Sequence, residues 1–147
     1  MWYVTGVTHH SVVIEMKDHL IVAEGPLNDE RALAVIKEAR TLAPNKPIKY
    51  VIVSHHHFDH SGGVRAFAGE GATLITHDAS KPFFEKVVAA PATVSPDHLA
   101  RSGKKATVEG VRERRVLTDG TRTVEVRHIA GIHPQAGLGW PRKRSGS

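Results

Sequence analysis

Short apolar runs with period-two alternation open the chain, and a stretch with helical spacing follows them. SVVIEM and LIVAE flank Lys17–Asp18 and predict a β-hairpin with a tight turn. Apolar residues then recur at helical spacing from Ala32 to Ala43, until Pro44 ends the helix. Asn28 can cap the first turn of this helix. The first part of the chain is therefore predicted to be a hairpin followed by a helix.

The middle of the chain alternates between strand-like and helix-like segments. Residues 48–53, IKYVIV, predict a short strand, and their nearly continuous apolar character favours burial on both faces. A short helix over 64–69, a strand over 72–76 and a helix over 80–89 follow. Residues 91–106 have little periodicity and predict a long connection.

Two final strand-like runs, RRVLT and RTVEVRHI, flank Asp119–Gly120 and predict a closing hairpin. Residues 48–89 thus alternate as β-α-β-α, an order that is typical of the α/β fold class. The length of 147 residues is that of one domain.

Composition restricts the function classes. No apolar run approaches the roughly 20 residues of a membrane span, so no membrane partner is expected. The chain has no cysteine, and any metal must therefore be bound by His, Asp or Glu. MWYVTGVTHH lacks the basic start and apolar core of a signal peptide, which makes the cytoplasm the default location.

The net charge of +5 does not indicate a nucleic-acid partner, because much of it is local. Arg142, Lys143 and Arg144 supply three of these charges near the end of the chain. Other basic clusters have no interleaved aromatic residues, so they are predicted to be solvated surface. A small molecule is the expected substrate.

The stretch VIVSHHHFDHSGG contains four histidines and one aspartate within six residues, directly after the predicted buried strand. In an extended segment His55 and His57 can point to one side. Asp59 and His60 follow where the chain turns towards Gly62–Gly63, so they can reach back over the same cavity. Imidazole and carboxylate suit zinc, or iron or manganese. The motif predicts a metal site; the alternative is a histidine-rich surface loop.

HHHFDH also resembles the His-x-His-x-Asp-His signature of the metallo-β-lactamase fold superfamily. The resemblance extends from about Met1 to Ile132, and it implies an α/β fold with a mixed sheet and flanking helices. This fold is an αβ/βα sandwich, with helices outside two facing sheets and a metal site along their edge. By this likeness His55 and His57 would bind a first metal ion. Asp59 and His60 would bind a second, with a bridging water or hydroxide between the ions.

The resemblance implies hydrolysis of an ester, lactone, thioester, amide or phosphodiester by metal-activated water. Asp59 would orient this water and carry its proton, and Zn²⁺ would be the cofactor, as one or two ions. The alternative is a catalytically inactive, truncated fragment that binds metal loosely or serves a partner.

The last part of the chain departs from the family pattern. Members usually add a third histidine after a Gly-His-type turn, a bridging aspartate and a further histidine. His133 is the candidate third ligand, although Ile132 separates it from Gly131, and His128 is a weaker candidate. No carboxylate follows Glu125. Residues 1–133 are therefore predicted to be the N-terminal half of the fold, holding at most one ion tightly and exposing a sheet face that favours self-association.

Residues 134–147, PQAGLGWPRKRSGS, are predicted to be a disordered tail foreign to the family. They contain three glycines and two prolines and have no apolar periodicity, so they cannot bury enough surface to offset their ordering entropy. A shifted reading frame, a mis-joined fragment, a cloning remnant or a divergent natural terminus would each produce such a segment. The alternative is an ordered cap in which Leu138 and Trp140 dock on the sheet.

Several other residues are interpreted as structural. His9, His10 and His19 are expected to be half-exposed strand residues, and Glu24 is expected to cap the turn that follows it. Asp78 is predicted to cap the helix over 80–89. Phe67, Phe83 and Phe84 are expected to be core residues.

Overall fold

The computed structural model describes residues 1–130 and 138–139. Its centre is a six-stranded sheet in the order β1-β2-β3-β4-β5-β6. The strands are β1 (Trp2–Val4), β2 (Ser11–Glu15), β3 (Leu20–Ala23), β4 (Ile48–Ile52), β5 (Thr73–His77) and β6 (Thr107–Val111). β1, β2 and β3 pair antiparallel, whereas β3 to β6 are parallel. The mixed sheet predicted from the sequence is confirmed.

Helices flank this sheet. They are α1 (Asp29–Leu42), α2 (Phe58–Ser61), α3 (Val64–Gly69), α4 (Lys81–Ala89) and α5 (His98–Ser102). Asn28 caps α1 as predicted, because its side-chain oxygen accepts the backbone N–H of Arg31 at 2.8 Å. None of the described helices is long and apolar enough to cross a membrane.

One face of the central sheet packs against helices. Ile36 of α1, Phe67 of α3 and Phe84 of α4 are fully buried in one core with Val22 and Val51 of the sheet. Complete burial of each such side chain contributes about 1.5–3 kcal/mol. This layer therefore fixes β4, which leads into the histidine-rich segment, and its neighbour β3, which ends beside Glu24.

The opposite face of the central sheet packs against a second sheet of three strands, β7 (Arg114–Thr118), β8 (Thr123–His128) and β9 (Leu138–Gly139). Leu117 and Val126 of its β7–β8 hairpin are buried against Ile21, Ile52 and Ile75. The described chain thus has three layers: helices, a mixed sheet and a small antiparallel sheet.

The structure confirms the two hairpins, α1, α3 and α4, and it adds elements that the pattern did not predict. These are β1, β6, α2 and α5, and α5 lies inside the segment predicted to be a long connection. The prediction that Asp78 caps the helix over 80–89 is wrong, because the N-cap residue of α4 is Ser80, whose side chain forms no cap hydrogen bond. The ring nitrogen of His77 caps the turn before this helix by accepting the N–H of Ala79. Phe67 and Phe84 are buried as expected, whereas Phe83 is 46% exposed.

The C-terminal segment is described only at β9, where Gly139 pairs with Arg127 of β8. This short strand lies within the segment predicted to be a tail. The rest of that segment, and the boundary placed at His133, lie outside the described residues, so the tail stays a prediction.

Candidate metal centre

The histidine-rich segment begins where the central parallel strands end. After β4, the backbone N–H of Val53 donates to the carbonyl of Ile75 at 3.0 Å, which holds the segment next to β5. The N–H of Ser54 then donates to the Glu24 carboxylate at 3.0 Å, which joins the segment to the end of β3. The carboxyl ends of parallel strands form the usual ligand-binding edge of such sheets.

A one-turn helix turns the segment back on itself. The carbonyl of His57 accepts the N–H groups of His60 and Ser61 at 2.9 and 3.0 Å. The Ser61 hydroxyl donates to the carbonyls of His56 and His57, both at 3.0 Å. This local bonding carries Asp59 and His60 back towards His55 and His57.

The glycines after α2 allow the next loop to approach closely. A Cβ on Gly62 would lie 2.0 Å from the carbonyl oxygen of Leu27, although the φ of Gly62 is an ordinary −61°. The N–H of Gly25 donates to the backbone carbonyl of His60 at 3.0 Å, and the N–H of Gly63 donates to the backbone carbonyl of Gly25 at 2.9 Å. The loop between β3 and α1 therefore packs closely against the backbone of the histidine-rich segment and is hydrogen-bonded to it.

Two groups of metal-ligand atoms converge on one carboxylate. His55, His57 and Asp59 form one group, and His9, Asp59 and His60 form the other. Within each group the donor atoms lie no more than 4.8 Å apart. His57 is exposed and the other members are half-buried, so both groups are open to solvent on one side.

The carboxylate of Glu24 forms a hydrogen bond with the outer ring nitrogen of His60. The prediction that Glu24 caps the turn after it is wrong. Its backbone adopts a positive φ of 70°, which is uncommon for a residue with a side chain. In this conformation one carboxylate oxygen accepts the N–H of Ser54, and the other lies 3.0 Å from Nδ1 of His60. An ionised carboxylate only accepts hydrogen bonds, so Nδ1 of His60 carries the proton. The other ring nitrogen, Nε2, is left to face Asp59.

The electrostatics of the segment follow from these contacts. The hydrogen bond that Nδ1 of His60 donates to the Glu24 carboxylate is the main cause that raises the pKa of His60 above its usual value. Desolvation raises the pKa of Asp59, but the positive charge of His60 and a backbone hydrogen bond outweigh it and lower the pKa below its usual value. Asp59 is therefore a carboxylate at neutral pH, the form in which it binds a cation.

His9 is the residue that the sequence interpretation missed. It was expected to be a half-exposed strand residue with no part in the site. It is indeed half-buried, but its Nε2 lies 3.2 Å from a carboxylate oxygen of Asp59. Strand topology explains this position. Because β2 runs antiparallel to β3, the start of β2 lies at the edge where β3 and β4 end.

The other sequence-predicted histidines lie elsewhere. His133, the candidate third ligand, lies outside the described residues. His128 ends β8, where its ring lies 4.4 Å from that of His77, and it belongs to neither donor group. His19 is buried rather than half-exposed, because its ring packs against Tyr50 and its Nδ1 pairs with Asp18 at 2.6 Å.

The donor chemistry of the two groups fits a divalent metal ion. Imidazole nitrogens and a carboxylate are the ligand types of zinc sites, and Glu24 supplies the outer hydrogen bond that typically orients a ligating histidine. The fold and this arrangement together define an α/β protein with a candidate metal centre at the carboxyl edge of its central strands.

Comparison with known proteins identifies the family. Residues 4–140 match the model of the metallo-beta-lactamase superfamily, and the chain belongs to this superfamily. It is similar to the probable hydroxyacylglutathione hydrolase of Schizosaccharomyces pombe, with 26% identity over 87 residues that cover 52% of this chain and 34% of that protein.

Solved structures show the same fold. The metallo-beta-lactamase SMB-1, crystallised with mercaptoacetic acid, superposes with a TM-score of 0.70 and 22% identity over 94% of this chain and 53% of its own. The metallo-beta-lactamase from Pontibacter korlensis gives a TM-score of 0.64 and 17% identity, with 93% and 58% covered. The chain thus spans about half the length of these structures.

Proposed function

We propose that this protein is a metal-dependent hydrolase and that zinc is its metal. The observation that carries this proposal is the convergence of two His/Asp groups on the carboxylate of Asp59 at the carboxyl edge of the sheet. Membership of the metallo-beta-lactamase superfamily supports it.

The residues divide into ligands and supports. His55 and His57 would hold one ion together with Asp59, and His60 would contribute on the other side of that carboxylate. A bound divalent ion supplies water with a pKa lowered to about 7 and polarises the group under attack. Glu24 keeps the proton of His60 on Nδ1, so that Nε2 stays available as a ligand.

Asp59 is the candidate catalytic residue. Its lowered pKa keeps it ionised at neutral pH, so it can accept a hydrogen bond from the attacking water and orient it. It can then carry the proton of that water to the leaving group. The Glu24 carboxylate has a supporting role instead, because its two oxygens accept hydrogen bonds from Ser54 and His60.

The substrate is proposed to be a small molecule with an ester, lactone, thioester, amide or phosphodiester bond. Phe58, between His57 and Asp59, is 70% exposed, and the 46% exposed ring of Phe83 lies 5.4 Å from that of His56. These exposed rings offer apolar surface at the histidine-rich segment, which suits an acyl chain. The similarity to a hydroxyacylglutathione hydrolase adds hydroxyacylglutathione to the substrates to test.

Turnover on a substrate panel tests the proposal. The purified chain would be assayed on hydroxyacylglutathione, a lactone, a simple ester, a β-lactam and a phosphodiester, before and after chelation and after zinc is restored. We expect at least one activity that chelation abolishes and zinc restores. Asp59→Asn should lose this activity, whereas His56→Ala, which changes a histidine outside both donor groups, should keep most of it.

A second candidate function is metal binding without catalysis. It is favoured by the donor sets of the described residues, because each group there has three protein donors and so leaves positions of the ion to other ligands. A displacement of about 1 Å can cost roughly a hundredfold in rate. Retained zinc with no turnover on the whole panel would favour this function over hydrolysis.

A further inference from the structure

We propose that His9 is a protein ligand of a second metal position, which it forms together with Asp59 and His60. This inference rests on the proposed metal centre of His55, His57 and Asp59, and it goes beyond the histidine-rich segment. It also revises the expectation, drawn from the sequence, that the chain holds at most one ion tightly.

The distances within the second group suit a metal ion. The Nε2 atoms of His9 and His60 lie 3.2 and 3.5 Å from the same oxygen of Asp59. In a tetrahedral zinc site with bonds of 2.0–2.1 Å, neighbouring ligand atoms lie about 3.3 Å apart. The protein atoms therefore already have nearly the spacing that a shared ion requires.

Both imidazoles have their outer nitrogen occupied. Nδ1 of His60 pairs with Glu24 at 3.0 Å, and Nδ1 of His9 pairs with the Thr8 hydroxyl at 3.1 Å. Both rings thus present Nε2 to Asp59. This arrangement, with one ring nitrogen held by an outer partner and the other aimed at the site, is the usual one for ligating histidines.

The backbone of His9 is also fixed. The Arg31 guanidinium in α1 donates to the carbonyl of His9 at 3.2 Å. Two residues after His9, the hydroxyl of Ser11 at the start of β2 donates to the carbonyl of Glu24 at 2.9 Å. The segment that carries His9 is therefore tied both to α1 and to the loop that orients His60.

A plain His–Asp ion pair explains the arrangement less well. One protonated imidazole would suffice for such a pair, whereas two rings converge here on one carboxylate, their centroids 5.7 Å apart. A cation bound between the two rings and the carboxylate uses all three groups as donors, which accounts for the convergence of both imidazoles.

Cobalt(II) titration tests the proposal without an assay of activity. Wild type, His9→Ala and His10→Ala would be compared by calorimetry and by the visible spectrum of bound cobalt. His10 is the matched control, because it is the adjacent residue, is exposed and packs on Tyr3, 5.1 Å between centroids. We expect two equivalents in wild type and His10→Ala. His9→Ala should bind the second ion at least about tenfold more weakly, since even an outer partner contributes that much.

His9→Cys provides a positive test that does not depend on a loss of binding. The chain has no other cysteine, so a thiolate-to-cobalt charge-transfer band in the near ultraviolet reports coordination by position 9 alone. We expect this band in His9→Cys and not in His10→Cys.

The possible failures are distinguishable. If wild type and His9→Ala bind cobalt with the same stoichiometry and affinity, and His9→Cys shows no thiolate band, His9 is not a ligand, while a site that depends on His55 and His57 still stands. If wild type binds no cobalt at all, the His9 proposal and the proposed metal centre are both wrong.

Discussion

At the residue scale, the candidate centre depends on side chains that are held by partners on other elements. Glu24 accepts a backbone hydrogen bond from Ser54 and a side-chain hydrogen bond from His60, and it does so from a left-handed backbone conformation. Such conformations cost of order 1–3 kcal/mol and persist where surrounding contacts fix them. The position of Glu24 thus couples the end of β3 to the histidine-rich segment.

Glu24→Gln should weaken metal binding. The substitution keeps the size of the side chain but removes the charge that favours the proton on Nδ1 of His60. We expect zinc affinity, measured by competition with a chromogenic chelator, to fall about 10–100-fold. In the metal-free protein the pKa of His60, followed by NMR, should also fall towards its usual value, because the main cause that raises it is gone.

Glu85→Gln is the control for this change, since Glu85 is exposed on α4 and its carboxylate lies 3.7 Å from the Lys81 ammonium. Its zinc affinity should match that of wild type. Equal affinities in all three proteins would mean that Glu24 does not support the site.

At the scale of elements, one ion pair joins the three helices that follow the histidine-rich segment. Arg65 of α3 donates to Asp97, which caps α5, and to the carbonyls of Val87 and Ala90 at the end of α4. The side chains of Arg65 and Asp97 are only 16% and 19% exposed. The hydrogen bond from Arg65 lowers the pKa of Asp97 below its usual value.

Stability should therefore depend on pH through Asp97. Because its pKa is lower in the folded than in the unfolded chain, its charge stabilises the fold above the unfolded pKa of about 3.9, and this contribution is lost as the pH falls through the folded value. Asn is also a good helix cap, so Asp97→Asn isolates the charge. In urea unfolding, wild type should exceed Asp97→Asn in stability at pH 6, and the difference should shrink at pH 3. A difference independent of pH would refute this account.

Gly62 should not tolerate a side chain, because its Cβ position is occupied by backbone from the loop before α1. An added methyl group would lie 2.0 Å from the carbonyl oxygen of Leu27, so that loop has to move. We expect Gly62→Ala to lower the free energy of unfolding by about 1–3 kcal/mol, measured by chemical denaturation, and to weaken zinc binding. Unchanged stability would show that the loop is not clamped here.

The sequence predicted the elements whose periodicity is strong and whose ends carry recognisable caps. α1 is an example, with Asn28 at its start and apolar spacing throughout. β1, with three residues, and α5, with five, are too short to show a period. β6 contains Gly110, which weakens a strand pattern, and it forms because β5 pairs with it.

The candidate site was predictable where its residues are local in sequence. The spacing of His55, His57, Asp59 and His60 is sufficient to predict a cluster, because one strand end and one helical turn hold them. His9 and Glu24 join it only through strand pairing and loop packing, which no local pattern encodes. The pairing of β2 with β3 was the available signal, since it places the residues before Ser11 at the same edge.

At the scale of the whole molecule, a three-stranded sheet covers part of a six-stranded one, and the chain spans about half the length of related structures. Large apolar side chains are exposed at the edge strand β1 and at the histidine-rich segment, where Tyr3 is 63% and Phe58 is 70% exposed, and such surface favours association. We expect the purified chain to show self-association that increases with concentration in light scattering coupled to size exclusion. A monodisperse monomer at high concentration would contradict this expectation.

Zinc content after exhaustive dialysis measures whether the His/Asp groups around Asp59 bind metal. Elemental analysis would compare wild type with His56→Ala and with a variant that combines His55→Ala, His57→Ala and Asp59→Ala. We expect at least about one zinc per chain in wild type and His56→Ala, and almost none in the triple variant, because two isolated imidazoles cannot hold the ion. Equal zinc in all three proteins, or none in wild type, would show that these groups are not a metal centre.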